Sequence, residues 1–178
     1  MEFNEFQQIK RKFFSYRNGV TAEVLRKGGS PFQIIFGLTL PQLSAIASET
    51  GHNKELAAKL WSNNSTRCSM LLAPMVMPKD NFSYEECLTW CNAVPSFEIA
   101  DVLCYKLISK QEYIRRLIPV LLEGNIYERY IGMRLILQEL RKEEYRSEMI
   151  KEIRERNILK SDEFRLLKQQ IIDELENE

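Results

Sequence analysis

The residues whose types and spacing could do chemistry lie in the stretch NAVPSFEIADVL, residues 92–103. Asp101 follows Phe97 by four residues, so a helix beginning after Pro95 places the carboxylate one turn beyond the aromatic ring. On a helix over 96–108, both side chains lie at the edge of the apolar arc. Two interpretations stay open. Asp101 is either a boundary aspartate that pairs with an arginine or caps a neighbouring helix, or a carboxylate that takes part in chemistry.

A second line of polar and aromatic residues lies on a helix predicted over 125–141. Guanidinium groups interleaved with aromatic rings suit a nucleic-acid surface, because arginine pairs with phosphate and the rings lie against sugar or base. The alternative is an ordinary amphipathic border, in which the stems of these side chains cover the edge of the core. The residues, at spacings of three or four, are Tyr127, Tyr130, Arg134, Gln138 and Arg141.

Metal, disulfide and cofactor chemistry find little support in the sequence. The single histidine, His52, has no second set of ligands nearby, and the Gly28-Gly29 pair lacks the spacing of a phosphate-binding loop. The four cysteines have irregular spacings and no CxxC motif, which is typical of small buried apolar residues. They are Cys68, Cys87, Cys91 and Cys104. We expect no metal and no cofactor.

Composition indicates a globular protein with an uneven charge distribution. The chain has 178 residues, of which 44% are hydrophobic, and 25 basic residues balance 25 acidic ones. Residues 1–142 carry 18 basic and 14 acidic residues, whereas residues 143–178 carry 7 and 11, so a mildly basic body precedes an acidic tail. The apolar runs are too short for a membrane span, and the start lacks a signal-peptide pattern. We expect a cytoplasmic monomer.

The apolar residues recur at helical spacing almost throughout, which predicts an all-α fold. Phe3, Phe6, Phe13 and Phe14 outline a first helix, which should end within residues 26–33. Thr39 and Pro41 mark the start of a second. Further helices are predicted over 53–62, 65–77, 83–94, 96–108, 110–123, 125–141, 143–156 and 162–176.

Local signals also predict how one of these helices begins and ends. Ser109 and Glu112 have the spacing of a capping box at the start of the 110–123 helix. Gly124 stands where a left-handed residue would follow that helix. Short helices with short connections favour antiparallel neighbours, and a succession of such pairs indicates an α-solenoid within a single domain, residues 1–178.

Three segments, in their order and spacing, resemble the AlkD-like DNA alkylation repair glycosylases over roughly residues 1–142. They are FGLTLPQLSAIA (36–47), ELAAKLWSNNSTRCSMLLAPMVMP (55–78), and VPSFEIADVLCYKL (94–107) followed by IYERYIGMRLIL (126–137). The resemblance implies a solenoid of HEAT-like helix pairs whose basic concave face holds duplex DNA. It also implies release of cationic alkylated purines without flipping the base into a pocket.

The resemblance also implies roles for particular residues. Asp101 matches the family's catalytic aspartate, which stabilises the oxocarbenium-like sugar and holds the attacking water, and Phe97 matches a tryptophan that meets the cationic base. Arg129 matches the first arginine of a basic pair, and Tyr130 stands where the second is usual. We expect Arg115, Arg129 and Arg134, together with Tyr130, to contact the DNA.

One departure from the family leaves two functions open. The family continues through further repeats that add another tryptophan to the cleft, and nothing after residue 142 resembles them in sequence; Phe164 is the sole aromatic beyond Tyr145. The first interpretation is an alkylpurine DNA glycosylase that uses Asp101 and Phe97. The alternative is a non-catalytic HEAT-like binding module for DNA or a protein partner, which the zero net charge favours.

Overall fold

The computed structural model describes residues 4–160 and 163–176. These residues form eleven α-helices, three short 3₁₀ helices and no strand, so the all-α prediction is confirmed. The α-helices are α1 (Glu5–Ser15), α2 (Gly19–Lys27), α3 (Leu40–Thr50), α4 (Lys54–Ser62), α5 (Arg67–Val76), α6 (Tyr84–Asn92), α7 (Phe97–Lys106), α8 (Ile114–Leu121), α9 (Ile126–Leu140), α10 (Glu143–Glu155) and α11 (Arg165–Glu176). The 3₁₀ helices are Lys79–Asn81, Ile108–Lys110 and Ile158–Lys160.

The helix starts follow from side chains that satisfy the first free N–H groups. Thr39 accepts the N–H of Gln42, whose side chain returns to the N–H of Thr39, and Pro41 occupies the first turn of α3. This start was predicted from the sequence. Asn125 and Glu128 form the same reciprocal arrangement at the start of α9. The N-terminal end of α9, which carries Tyr127 and Tyr130, is thereby fixed.

The first predicted helix is in fact two. α1 ends at Ser15, and Asn18 caps a separate helix, α2, by accepting the N–H of Thr21 at 3.0 Å. The Asn18-Gly19 dipeptide is a turn signal at this break, but the helical spacing of the phenylalanines was extended past it. Phe3, the first residue of the predicted stripe, lies outside the described residues, as does the predicted start of the last helix at residue 162.

The capping signals around α8 were wrong. Residues 108–110 form a 3₁₀ helix, so the Ser109 hydroxyl donates to the Tyr105 carbonyl at 3.0 Å, and α8 begins at Ile114. Gly124 does not have a positive φ, so it is not a left-handed residue at the end of α8. Its requirement is steric, because a Cβ there would lie 2.6 Å from the Glu128 carboxylate that folds back onto the start of α9.

The chain divides into two compact units between Ser83 and Tyr84; the single domain over residues 1–178 stays a prediction. In the first unit, α5 is the central helix and packs against α3 and α4. Its first residue, Arg67, is buried and donates to the Leu38 carbonyl at 3.0 Å. Gly37 has φ +78° and lies so close to Asn18 that a Cβ would approach its carbonyl oxygen to 2.2 Å.

In the second unit, α9 is the central helix and packs against α6, α7, α8, α10 and α11. α7 and α9 run in the same direction, because Asp101 contacts Arg134 and, farther along α9, Gln138 donates to the carbonyl of Ser109, which lies just beyond the end of α7. α9 and α11 are also parallel, since Arg129 meets Glu163 and Arg141 meets Glu174. α7, α9 and α11 therefore form one layer of parallel helices.

Ion pairs join successive helix pairs of this unit at a constant spacing. Each pair links residues 33 or 34 positions apart: Asp101–Arg134, Arg115–Glu148, Glu123–Arg156, Arg129–Glu163 and Arg141–Glu174. Two of the five connect the α8 region with α10: Arg115 in the first turn of α8 pairs with Glu148 in the middle of α10, and Glu123 just after α8 pairs with Arg156 at the end of α10. The helical repeat is too degenerate to recognise in the sequence, but it appears in the structure as ion pairs that recur at an interval of 33 or 34 residues.

The interior is apolar, and the cysteines belong to it. All four cysteines are free and buried, as predicted. Within the described part of the chain, no helix combines the length and apolarity needed to cross a membrane.

Candidate functional site

Four aromatic rings from α7, α9 and the start of α11 form a single aromatic cluster. Phe97 lies at its centre, with ring-centroid distances of 5.1 Å to Tyr127, 4.9 Å to Tyr130 and 5.9 Å to Phe164. Tyr130 and Phe164 are 5.4 Å apart, and all four contacts are edge-to-face. Phe97 nevertheless remains 42% exposed. The cluster therefore presents an aromatic surface to a ligand.

The helices fix these rings at their first turns. Ser96 caps α7 by accepting the N–H of Ile99, which makes Phe97 the first helical residue. Tyr127 and Tyr130 lie one turn apart in the first half of α9. Phe164 directly precedes α11 and has φ +56°, a backbone conformation that residues other than glycine rarely adopt. Tertiary contacts must therefore hold it in this conformation.

Asp101 lies beside the aromatic cluster and is held by two donors from α9. The Tyr130 hydroxyl donates to Asp101 Oδ1 at 2.9 Å, and Arg134 Nε donates to the same oxygen at 2.7 Å. Among the described residues, no hydrogen bond reaches Oδ2. The Asp101 side chain is 41% exposed. The pairing with an arginine is the contact that the structural interpretation predicted, yet it uses only one of the two carboxylate oxygens.

The two donors differ in how the site shifts their pKa values. Burial, followed by the hydrogen bond to Asp101, raises the pKa of Tyr130 to about 12, so the phenol is a neutral donor at neutral pH. Burial lowers the pKa of Arg134, but the hydrogen bond and the charge of Asp101 outweigh it and leave that pKa above its ordinary value. Arg134 therefore remains a cation beside the carboxylate.

The remaining predicted DNA contacts are engaged with carboxylates. Arg129 donates from Nε and Nη2 to the two oxygens of Glu163, at 3.2 and 2.7 Å, and from Nη1 to the Gly124 carbonyl at 2.9 Å. Arg115 lies on α8, pairs with Glu148 at 3.3 Å and covers the ring of Tyr145. The structure therefore brings Phe97, Asp101, Tyr130 and Arg134 together. Arg129 instead binds Glu163, the residue before Phe164, and Arg115 lies outside this group.

Phe164 and Glu163 are members of the site that sequence reasoning missed. The sequence resemblance ended near residue 142 and led us to expect no further aromatic in the cleft, but Phe164 contacts both Phe97 and Tyr130. The signal was a spacing: Phe97, Tyr130 and Phe164 are 33 and 34 residues apart, the same interval as the ion pairs. In the described parts of the chain, His, Cys, Asp and Glu side chains form no group of three or more suited to a metal.

Comparison with solved structures identifies the fold class of the protein. A solved structure described as "A new family of proteins related to the HEAT-like repeat DNA glycosylases with affinity for branched DNA structures" superposes with a TM-score of 0.78. The two sequences are 15% identical, and the match covers 96% of this chain and 75% of the other. The protein thus has the HEAT-like helical repeat fold, as predicted.

The sequence itself supplies the family. The family model for DNA alkylation repair enzymes matches residues 9–166, and the chain belongs to that family. The matched span passes residue 142 and includes α10, Glu163 and Phe164. No curated protein matches the chain at a significant level.

Proposed function

We propose that the protein binds duplex DNA and hydrolyses the N-glycosidic bond of cationic N3- or N7-alkylated purines. Membership of the DNA alkylation repair enzyme family supports the repair role. Asp101 and Phe97 are the proposed catalytic residues, and Tyr130, Arg134 and Arg115 are proposed to face the DNA. The aromatic cluster and Asp101 come from one chain, so we propose that the monomer is sufficient for activity.

In this mechanism the alkylated base is already cationic and leaves as a neutral molecule, so no general acid is needed. The C1′–N bond breaks with its electron pair going to the base, and positive charge develops on the sugar. Asp101 stabilises that charge and holds a water molecule, which forms the new C1′–O bond and releases a proton to solvent. The exposed face of Phe97 attracts the cationic base before the bond breaks.

A single observation carries this proposal: the carboxylate of Asp101 is fixed through Oδ1, while its Oδ2 accepts no hydrogen bond from the described residues and the side chain is 41% exposed. Tyr130 and Arg134 both bond Oδ1, and the exposed ring of Phe97 lies one helical turn before it. The two hydrogen bonds to Oδ1 hold the Asp101 carboxylate in place, and Oδ2 can then bind a ligand.

The test is release of N7-methylguanine and N3-methyladenine from methylated duplex DNA by the wild type and Asp101→Asn. Asparagine retains an oxygen that can accept from Tyr130 and Arg134 but carries no charge. We expect a loss of roughly 100- to 1,000-fold in the rate, the typical effect of removing an electrostatic group from a transition state. Asp173→Asn, an exposed carboxamide substitution on α11, is the matched control and should retain full activity. Equal rates for wild type and Asp101→Asn would refute the catalytic role.

A second candidate function, a non-catalytic DNA-binding module, is favoured by the ion pair between Arg134 and Asp101, because it offsets the charge of the proposed catalytic carboxylate. The solved relative is described by its affinity for branched DNA structures. Steeply salt-dependent DNA binding without base release would support this function. Binding of neither methylated nor branched DNA would instead direct attention to a protein partner.

A further inference from the structure

A cavity of about 500 Å³ lies between α7 and α9, beyond Asp101 on the side away from Phe97. Asp101 and Arg134 are at the end nearer the aromatic cluster, and Ser109 and Arg141 are at the far end, because the two helices run in parallel. This volume falls within the range of small-ligand sites. The cavity extends the site by about two helical turns along both helices.

Two guanidinium groups line the cavity with donors left over. Arg134 uses Nε for Asp101, and Arg141 uses Nε for Glu174 at 3.0 Å. Within the described ranges, neither arginine makes a hydrogen bond through its Nη atoms, which are the pair of donors that bind phosphate oxygens. The two residues are seven apart on α9, so they lie on the same face, roughly 10 Å apart along the axis.

The rest of the lining suits the sugar and base of a nucleotide. Tyr105 is 73% exposed, and Lys106 Nζ lies 5.3 Å from its ring centroid. Gln138 donates its amide to the Ser109 carbonyl at 3.2 Å, which fixes its Oε1 as an acceptor. Cys104 and Leu137 line the cavity as buried apolar residues. A free anion would have no use for the tyrosine, whereas a nucleotide uses a phosphate ligand and an aromatic face together.

We propose that this cavity is a second nucleotide subsite, which adjoins the Asp101–Phe97 site at Asp101 and has no chemical role. Arg134 and Arg141 bind a backbone phosphate of the DNA strand, and Tyr105 lies against the sugar or base of that nucleotide. The inference rests on the DNA binding of the proposed function but requires no catalysis. Arg134 lines both sites, so it joins the subsite to the catalytic carboxylate.

The experiment measures binding of a fluorescently labelled, unmodified duplex by anisotropy over a series of salt concentrations. Arg141→Gln should weaken binding and lower the slope of log K against log salt by about 1, because one phosphate contact is lost. Arg141→Lys should keep that slope, since the charge is retained, while losing affinity with the planar fork. Tyr105→Ala should weaken binding about 5-fold or more with an unchanged slope.

Matched variants away from the cavity give the controls. Arg154→Gln removes an exposed arginine of α10, and Tyr16→Ala removes an exposed tyrosine that follows α1; both should bind as the wild type does. Thermal melts of every variant establish that it is folded. Wild-type affinity and slope in both Arg141→Gln and Tyr105→Ala would overturn the subsite, and so would a loss no greater than that of the controls.

The subsite and the catalytic proposal fail in different ways. If the wild type binds unmodified DNA and the cavity variants weaken that binding, but no alkylated base is released, the glycosylase mechanism is refuted and the subsite stands. If base release depends on Asp101 while the cavity variants bind and react as the wild type does, the subsite is refuted and the mechanism stands. A folded wild type that binds no DNA at any salt concentration refutes both.

Discussion

Replacing Arg129 by glutamine separates a structural role of this arginine from the DNA contact that the family resemblance implies. Arg129 already uses Nε, Nη1 and Nη2, two of them on Glu163 and one on the Gly124 carbonyl. These bonds place Glu163, and with it Phe164, against α9. We therefore expect Arg129→Gln to lower stability and to leave the salt dependence of DNA binding unchanged.

The magnitude follows from the exposure of the pair. The side chains of Arg129 and Glu163 are 35% and 42% exposed, so solvent screens their attraction. The stabilisation that these charge-assisted hydrogen bonds contribute is therefore close to that of a surface ion pair. A loss of about 1–2 kcal/mol in the free energy of unfolding is reasonable for the three bonds together. In a chain of this size, each kcal/mol shifts Tm by about 2–4 °C, which gives a fall of about 2–8 °C.

Calorimetry provides the Tm, and amide hydrogen exchange shows whether the loss is concentrated in α11. Arg154→Gln, with the same change of charge, should move Tm by less than about 1 °C. DNA binding is measured as a function of salt on the same samples. If Tm is unchanged and the salt slope falls by about 1, Arg129 is a phosphate ligand after all, and the reasoning from its hydrogen bonds is wrong.

Phe97→Trp should raise the rate of base release about 2- to 5-fold, because indole attracts a cation more strongly than a phenyl ring and this position is 42% exposed; unchanged kinetics would remove Phe97 from the catalytic residues. Tyr130 has a pKa raised above 10 to about 12, so the stability that it contributes is present below pH 10 and is lost as pH rises from 10 to about 12. Tyr130→Phe should therefore show a shallower alkaline decline in Tm, and a decline as steep as that of the wild type would show that the shift lies elsewhere.

The helices were largely predictable because their signals are local. The Thr39 cap and the proline at Pro41 identify the start of α3 without any knowledge of the fold. Asp101 was also placed correctly at a boundary, since the apolar arc of α7 is apparent from its spacing. Periodicity and capping act within a few residues, so one sequence suffices to apply them.

The errors arise where tertiary contacts decide the local structure. Ser109 fits a capping box, but the 3₁₀ helix after α7 turns its hydroxyl to the Tyr105 carbonyl. Gly124 fits a helix end, but the side chain of Glu128 in α9 determines the need for glycine there. Phe164 was not assigned to the site because its partners lie 34 and 67 residues earlier, so the repeat interval connects them and no local signal does.

The two ion pairs between α8 and α10 also encode direction. Arg115, in the first turn of α8, meets Glu148 in the middle of α10, and Glu123, just after α8, meets Arg156 at the end of α10. If the 148–156 segment lay against α8 in the opposite direction, Arg156 would meet Arg115 and Glu148 would meet Glu123, which places like charges together. Each pair alone adds little to stability. Together they discriminate between parallel and antiparallel docking of α10, since the wrong orientation exchanges two attractions for two repulsions.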